Sequence, residues 1–237
     1  MEAHVRIGTS RNFTLKNAVL IYGDGSAAFA TLHEVWAEKN QTPYLGPGQS
    51  LTTAFLRTLA KGLGARMAPE ILSENVLART PDMLVWWSRA QRRVMFFGGG
   101  SEEARSLNGC MFPHPVLVFK VSGHELFVHA LANDARPRAN TPLKTAPYWN
   151  TNGQGLVCQG TMRVPDEVNV DSIAGWEDAF FLSKFTHASG AARLTSHSGG
   201  FFGLWSSLAD RPGTFPTEFL TDAKQTLREF VEDGGER

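Results

Sequence analysis

Two cysteines, Cys110 and Cys158, are the side chains of this 237-residue sequence best suited to nucleophilic chemistry. Two thiols are too few for a disulfide framework or a four-thiolate zinc site, so the sequence is typical of a protein from a reducing cytosol. Cys158 stands among Gly153, Gly155 and Gly160, where the fold can hold the thiol and leave it accessible. Cys158 is therefore a candidate nucleophile, and the alternative is a buried cysteine that acts as a small hydrophobic residue.

The other cysteine, the histidines and a glycine cluster give weaker evidence of a functional site. Cys110 lies between two apolar runs, where a structural role is expected. The histidines show no HxH, HExxH or C-x-x-C spacing, so we expect no zinc site. His187 and His197 follow Cys158 in the order that a papain-like hydrolase uses, which keeps a Cys/His hydrolase as a third hypothesis. The glycines at 98–100 are not followed by a P-loop lysine, and we interpret them as a flexible loop without a nucleotide.

Charge and hydropathy exclude several classes of protein. The sequence has 23 Lys and Arg against 23 Asp and Glu, which argues against a broad positive surface for duplex DNA or anionic membranes. No stretch approaches the roughly 18 apolar residues of a membrane helix, and the first residues lack the apolar centre of a signal peptide. We therefore expect a soluble, cytoplasmic protein that binds neither nucleic acid nor membranes and needs no cofactor.

The first third of the chain has the pattern of a hairpin and a helix. Apolar runs at 13–22 and 27–36 flank a turn-rich tetrad at 23–26, which predicts a β-hairpin. A helix is predicted over 51–63, with Ser50 as its N-cap, because Leu51, Phe55, Leu59 and their neighbours recur on one face. Gly64 is expected to end this helix, and its apolar face is expected to pack against a sheet.

The middle of the chain predicts that sheet. Four runs rich in β-branched and aromatic residues, at 83–88, 93–97, 115–121 and 125–131, predict an antiparallel meander. The paired aromatic residues of these and later runs are expected to lie mostly in the core. The regular pattern then stops over 132–165, a Pro-, Asn- and Gly-rich stretch that carries Cys158. Loops of this length are usually functional or disordered, and the cysteine favours function.

Helices are predicted after the loop. Asp171 is expected to cap a helix over 172–185, and Thr214 and Pro216 to begin a last amphipathic helix that ends near Gly234. The whole chain is predicted to be an α+β protein. We expect a single domain over 1–237, with a hairpin extension at 1–48 and a core at 50–237.

The cysteine segment resembles the active-site segment of ubiquitin-conjugating enzymes. That family has an asparagine eight positions before its cysteine, a glycine three positions before and an aliphatic residue immediately before. Asn150, Gly155 and Val157 stand at those spacings from Cys158. The resemblance implies a ubiquitin-conjugating-enzyme-like fold: a helix, a four-stranded antiparallel meander, the active-site loop and C-terminal helices, here with an extra N-terminal β-hairpin.

The wider sequence is similar to the protein B family of the PRTRC system, a bacterial cassette with ParB-related and ThiF-related members. The resemblance rests on the segments LGPGQSLTTAFLRTLAKGLGA, ENVLARTPDMLVWW, TPLKTAPYWNTNGQG and HSGGFFGLWSSLA. That family is classed as prokaryotic and ubiquitin-conjugating-like. It implies three kinds of partner: a ubiquitin-like protein, a ThiF-family activating protein and other cassette proteins.

The resemblance also implies roles for individual residues. Cys158 would accept the ubiquitin-like carboxy terminus as a thioester, and an amine, such as that of a lysine, would attack it. Asn150 would donate a hydrogen bond to the oxyanion or order the loop, against the alternative of a turn residue that bonds only local backbone. Tyr148 and Trp149 replace the His-Pro pair of the family, and with Gly155 they are expected to support the loop by packing.

Loss of the His-Pro pair motivates a second hypothesis. The family's tryptophan shortly after the cysteine is also missing, the nearest being Trp176. A protein with these departures could keep the fold as a non-catalytic scaffold that binds a ubiquitin-like protein or other cassette members. The accessibility of the Cys158 thiol distinguishes a scaffold from a carrier.

Overall fold

The computed structural model describes residues 4–6, 12–23, 28–36, 42–62, 71–99, 101–160, 162–187 and 193–233. The chain divides into two compact units, Met1–Pro69 and Glu70–Arg237. The single domain over 1–237, with its 1–48 extension and 50–237 core, stays a prediction. Within the described ranges no helix has the length and apolar character needed to cross a membrane.

The N-terminal unit contains the predicted hairpin. Its elements are β1 (His4–Arg6), β2 (Asn12–Thr14), β3 (Asn17–Gly23), β4 (Ala28–Trp36), β5 (Tyr44–Leu45), β6 (Gln49–Ser50) and α1 (Thr53–Gly62). Strands β3 and β4 pair antiparallel from Asn17 opposite Glu34 to Gly23 opposite Ala28, which confirms the hairpin. Strands β5 and β6 both pair with β4. Of the predicted turn at 23–26, Gly23 is the last residue of β3, and residues 24–26 lie outside the described residues.

Helix α1 begins three residues later than its predicted cap. Ser50 pairs with Thr31 in the β4–β6 ladder, so it is extended and does not cap the helix. The Thr52 hydroxyl accepts a hydrogen bond from the Phe55 amide at 3.2 Å and takes that role. The prediction of Ser50 as N-cap is therefore wrong. The predicted end at Gly64 lies outside the described residues, and the predicted packing of this helix on the sheet stays a prediction.

The C-terminal unit is mixed α+β. Its elements are β7 (Val76–Arg79), β8 (Met83–Ser88), β9 (Gln91–Val94), β10 (Phe96–Phe97), α2 (Glu102–Leu107), β11 (Met111–His114), β12 (Val116–Ser122), β13 (Glu125–Leu131), β14 (Pro142–Thr145), α3 (Ile173–Phe181), β15 (Lys184–Phe185), α4 (Gly200–Leu208), β16 (Asp222–Thr226) and α5 (Leu227–Glu232). Six strands form an antiparallel sheet in the order β16-β14-β13-β12-β8-β7. An α+β fold with antiparallel sheets agrees with the predicted class.

The central strands of this sheet are buried on both faces. Successive side chains of a strand point to opposite faces, so Trp86 and Phe119 lie in one core cluster, and Trp87 and Val118 in the other. Helices α3 and α4 contribute Trp176 and Trp205, among other residues, to the first cluster. Leu227 and Phe230 of α5 belong to the second. Many of the paired aromatic residues therefore lie in the core, as predicted.

The run at 93–97 is not the second strand of a meander, which corrects the prediction. Strand β8 pairs directly with β12, while β9 pairs with β11 and β10 pairs with β15 outside the main sheet. The reason is the polarity of the run Gln91-Arg92-Arg93, which cannot be buried beside a strand such as β8 that is covered on both faces. The apolar strand β12 takes that place.

The C-terminal helices also differ from the prediction. Helix α3 ends at Phe181 because Lys184 and Phe185 pair with β10, and Asn169, not Asp171, caps the 3-10 turn that leads into it. The predicted last helix is wrong between Thr214 and Thr226. That segment contains strand β16, which pairs with β14, and α5 begins only after Thr226. Pairing at the sheet edge overrides helical periodicity there.

Candidate active site

Cys158 lies on a loop that follows β14, which we call the cysteine loop (146–160). Its side chain is exposed at a cleft of about 760 Å³. The cysteine loop, Met162 and Arg163 line one part of this cleft. The rest is lined by α3 and by the residues that follow it, which we call the facing segment (182–187). The thiol predicted to be the nucleophile is therefore accessible to a ligand in the cleft.

The wall that α3 forms is fixed to the sheet by a buried carboxylate. Glu177 accepts a hydrogen bond from the Trp86 indole at 3.1 Å and forms an ion pair with Arg93 at 3.0 Å. The guanidinium of Arg93 also reaches Asp178 at 3.3 Å and stacks on the Phe181 ring. These contacts hold one side of the cleft in a defined position relative to β8 and β9.

Asn150 joins the cysteine loop to the facing segment. Its side-chain nitrogen donates to the Lys184 carbonyl at 2.9 Å, and its side-chain oxygen accepts from the Thr186 amide at 3.0 Å and hydroxyl at 3.1 Å. The Asn150 amide donates to the His187 carbonyl at 2.8 Å. Asn150 is buried, with 6% of its surface exposed. These contacts reach 34 to 37 residues away, so Asn150 does more than form a local turn.

Asn150 also positions Cys158 directly. Its carbonyl accepts the Cys158 amide at 2.6 Å, and its φ of 60° lies in the left-handed region that asparagine tolerates better than most residues. An amide nitrogen has two N–H groups, and Lys184 uses one of them. These contacts order the loop, and the role of oxyanion donor that the resemblance implies stays a prediction.

Residues 155–157 attach the other end of the cysteine loop to β13. The Val128 amide donates to the Gly155 carbonyl, and the Val157 amide donates to the Leu126 carbonyl, each at 2.8 Å. Gly155 has a φ of +85°, and a Cβ added there would lie 2.7 Å from the His129 ring. Glycine is required for both reasons. Cys158 is therefore held between β13 and the facing segment.

Replacing Gly155 with alanine should lower the free energy of unfolding by about 3 kcal/mol, because positive φ and a steric clash act together. Gly160→Ala is the matched control, since Gly160 has a φ of +49° and no atom within 4 Å of an added Cβ. We expect that control to cost about 1 kcal/mol. Chemical denaturation measures both, and equal costs would contradict the packing of Gly155 against His129.

Tyr148 is fully buried and hydrogen-bonded to a second buried side chain. Its hydroxyl lies 2.8 Å from Nδ1 of His114, whose Nε2 lies 3.2 Å from the Arg93 carbonyl. A carbonyl only accepts, so Nε2–H donates to it and the tyrosine donates to Nδ1. Burial raises the pKa of Tyr148 well above its usual range, which keeps this donor protonated. Tyr148 thus fixes the start of the cysteine loop.

Trp149, the residue after Tyr148, packs against aromatic side chains of α4 and β10. Its ring stacks on Phe201 at 4.8 Å and meets Phe202 edge-on at 4.9 Å, both at the start of α4. Phe97 of β10 contacts it as well. Aromatic pairs contribute beyond their buried area, so the loop gains support from two elements. Tyr148 and Trp149 thus make the packing contacts that are expected of residues that support the cysteine loop.

His129 holds the other side of the loop. Its Nδ1 lies 3.2 Å from the Lys144 carbonyl, and its Nε2 lies 2.7 Å from the Gln225 amide nitrogen and 3.2 Å from the Gln154 carbonyl. The neutral ring has one N–H, so it donates to one of the two carbonyls at a time, and the ring also lies directly against Gly155 of the loop. Sequence reasoning missed His114 and His129 as supports of the loop. The only available signal was their position within or beside apolar runs.

These two histidines predict a loss of stability in acid. Burial lowers the pKa of His114 and of His129 from 6.5 to about 4. Between these pH values the unfolded chain binds more protons than the folded chain. The contribution of each neutral histidine to the free energy of unfolding is therefore fully present above pH 6.5. It decreases as the pH drops toward 4, by roughly 3 kcal/mol for each histidine.

Denaturant titrations from pH 7 to pH 4 measure this effect. His129→Gln removes one titrating ring, so its free energy of unfolding should be lower at pH 7 and fall less steeply toward pH 4. His124→Gln, at an exposed position, is the matched control for the substitution itself. A wild-type slope in His129→Gln would contradict the assignment.

The other candidate residues lie in different surroundings. Cys110 is partly exposed, and its thiol donates to the Ser106 carbonyl at 3.5 Å. His187 lines the Cys158 cleft, but its Nδ1 bonds the Thr186 hydroxyl at 2.9 Å. His197 lines a separate cavity and accepts from the Gly199 amide. In the part of the chain that the structure describes, neither histidine hydrogen-bonds Cys158, so the papain-like arrangement is not formed there.

Comparison with known proteins gives one match. A family model described as Prokaryotic E2 family D matches residues 54–223, well over half of the chain. The matched region includes the cysteine loop, the facing segment and both walls of the cleft. No curated protein and no solved structure shows a significant match.

Proposed function

The chain belongs to prokaryotic E2 family D, and we propose on this basis that it is a ubiquitin-conjugating-like carrier. It accepts a ubiquitin-like protein as a thioester on Cys158 and passes it to an amine. The observation that supports Cys158 most strongly is an exposed thiol at a cleft, on a loop held by Asn150 at one end and by β13 at the other.

The chemistry follows from a positioned thiolate. Its sulfur attacks the activated carboxy-terminal carbonyl of the ubiquitin-like protein, a carbon–sulfur bond forms, and the activating group leaves. An amine then attacks the thioester, a carbon–nitrogen bond replaces the carbon–sulfur bond, and the thiolate of Cys158 is restored. The proton that the amine loses passes to solvent. Asn150 contributes by holding Cys158 and the facing segment in register.

The finer identity of the protein and its partners rests on the sequence resemblance. We propose that the chain is a protein B of a PRTRC cassette and that a ThiF-family activating protein supplies the activated modifier in the cytoplasm. Other cassette proteins are proposed as further partners. The α+β architecture with antiparallel sheets is compatible with an E2-like fold.

A minimal thioester exchange tests the proposal without the natural partners. The protein is incubated with a peptide that ends in two glycines and carries an N-acetylcysteamine thioester. Exchange releases N-acetylcysteamine and leaves the peptide on the protein, which intact-mass spectrometry detects. We expect one adduct per chain, mapped to Cys158 and removed by excess thiol. Absence of an adduct, both from this peptide and from a ubiquitin-like protein loaded by its activating protein, would contradict the carrier function.

The scaffold hypothesis makes a different prediction for the same thiol. A buried, unreactive Cys158 would have favoured the scaffold, whereas the side chain is exposed in the cleft. A scaffold would bind the ubiquitin-like protein equally well after Cys158 is blocked with iodoacetamide, and it would form no thiol-labile adduct. The accessible thiol therefore favours the carrier.

A further inference from the structure

The cleft beside Cys158 carries an excess of positive charge. Arg163 and Lys184 line it, both are exposed, and neither forms an ion pair with any carboxylate of the described residues. Asp178 is the acidic residue of the lining, and its carboxylate already pairs with Arg93 at 3.3 Å. Two cations are thus free to interact with a ligand.

The rest of the lining is largely apolar. Met162, Ala179 and Leu182 contribute to it, and Leu182 is 63% exposed, which is high for a leucine. An acyl group attached to the Cys158 sulfur must extend from that atom, and the cleft is the adjoining space. Its volume of about 760 Å³ lies in the range of roughly 300–1,000 Å³ that is typical of ligand sites. An extended peptide segment fits this description.

We propose that Arg163 and Lys184 determine specificity by selecting a ubiquitin-like tail with acidic side chains next to its terminal glycines. This inference rests on the proposed carrier function. Opposite charges attract across a partly apolar cleft more strongly than in bulk water, and like charges repel. A protonated lysine acceptor would be repelled by the same cations, so their charge suits the tail of the modifier and not the acceptor.

Matched peptide thioesters test this selection. Two peptides end in two glycines and share the N-acetylcysteamine leaving group, but one has two glutamates and the other two arginines before the glycines. Arginine is chosen because it does not attack its own thioester as lysine would. We expect the acidic peptide to load Cys158 about 5- to 10-fold faster at low salt, since each exposed ion pair contributes little.

Charge-reversed variants assign the effect to these two side chains. The double variant Arg163→Glu/Lys184→Glu should reverse the preference. Arg92→Glu/Arg211→Glu, at exposed positions outside the cleft lining, changes the net charge equally and should keep it. Raising the salt from 0.1 M to 1 M shortens the screening length from about 10 Å to about 3 Å and should reduce the wild-type preference.

The outcomes separate this inference from the proposed function. Equal loading of the two peptides, or faster loading of the arginine peptide, overturns the selection and leaves the carrier function intact. A preference that survives in the Arg163→Glu/Lys184→Glu variant overturns the assignment to these residues. Failure of both peptides, and of a neutral peptide with two glutamines, to load Cys158 counts against the carrier function itself.

Discussion

Replacing Cys158 with serine is expected to abolish the thiol-labile adduct, whereas Cys110→Ser keeps it. Removing a catalytic nucleophile costs on the order of 10³-fold in rate or more. Cys110 is expected to be the weaker nucleophile, because partial burial, and next the Asp210 carboxylate, raise the pKa of its thiol and lower its thiolate fraction. Intact-mass spectrometry after loading with the peptide thioester measures the adduct in each variant.

The serine variant also provides an internal control. A serine hydroxyl that accepts the acyl group forms an oxygen ester, which excess thiol removes far more slowly than a thioester. A thiol-resistant adduct in Cys158→Ser therefore agrees with Cys158 as the acceptor. A thiol-labile adduct in that variant, or its loss in Cys110→Ser, would contradict the assignment.

Asn150→Ala is expected to impair both stability and transfer. It removes the side-chain partner of the Lys184 carbonyl and the Thr186 amide, and the loss of these two partly buried hydrogen bonds costs about 1–2 kcal/mol. Alanine at a φ of 60° adds about 1 kcal/mol. Loss of the side-chain bonds frees the backbone at position 150, whose carbonyl accepts the Cys158 amide, to shift. Loading of Cys158 should therefore fall by on the order of 100-fold, the cost of a misplaced reacting group.

Three further variants separate the contributions of Asn150. Asn150→Gly keeps the positive φ but loses the side-chain bonds, so its difference from Asn150→Ala measures backbone strain. Asn150→Asp keeps an acceptor for Thr186 and loses the donor to Lys184. Asn152→Ala is the matched control, because the Asn152 side chain accepts hydrogen bonds from the Gln154 and Leu156 amides, both within the loop. We expect its effect on loading to be smaller.

Denaturant unfolding and hydrogen exchange at Thr186 distinguish the two roles of Asn150. A loop-ordering residue should lower the free energy of unfolding and the protection of the Thr186 amide together with the loading rate. A loss of rate with unchanged stability and protection would show that loop ordering is not the role of Asn150. That result would favour direct stabilisation of the oxyanion.

Local patterns in the sequence were sufficient for several elements. The hairpin formed by β3 and β4, helix α1 and strands β8, β12 and β13 lie within a few residues of their predicted positions. Each element has a strong hydrophobic periodicity or a clear turn sequence, so local sequence preferences determine its secondary structure. The start of α5 had a similar signal, the capping box from Thr226 to Glu229, which competed with a misleading helical pattern before it.

Local patterns did not predict which distant segments pair with each other. The polar run 91–94 joins β11 and not the main sheet, and β16 replaces a predicted helix by pairing with β14. The burial of Lys120 also depends on a distant segment, although the strand that contains it was predicted correctly. It is buried because its ammonium donates to the Phe230 and Asp233 carbonyls at the end of α5, each at 2.7 Å.

The sequence by itself determined the α+β class and the cysteine of interest, because spacing along the chain carries both. Only the tertiary structure decided how Asn150 is used and what surrounds Cys158. The partners of Asn150 lie at 184–187, and the loop supports His114 and His129 lie in β11 and β13. Such contacts depend on three-dimensional distance, and a spacing in one dimension does not encode them.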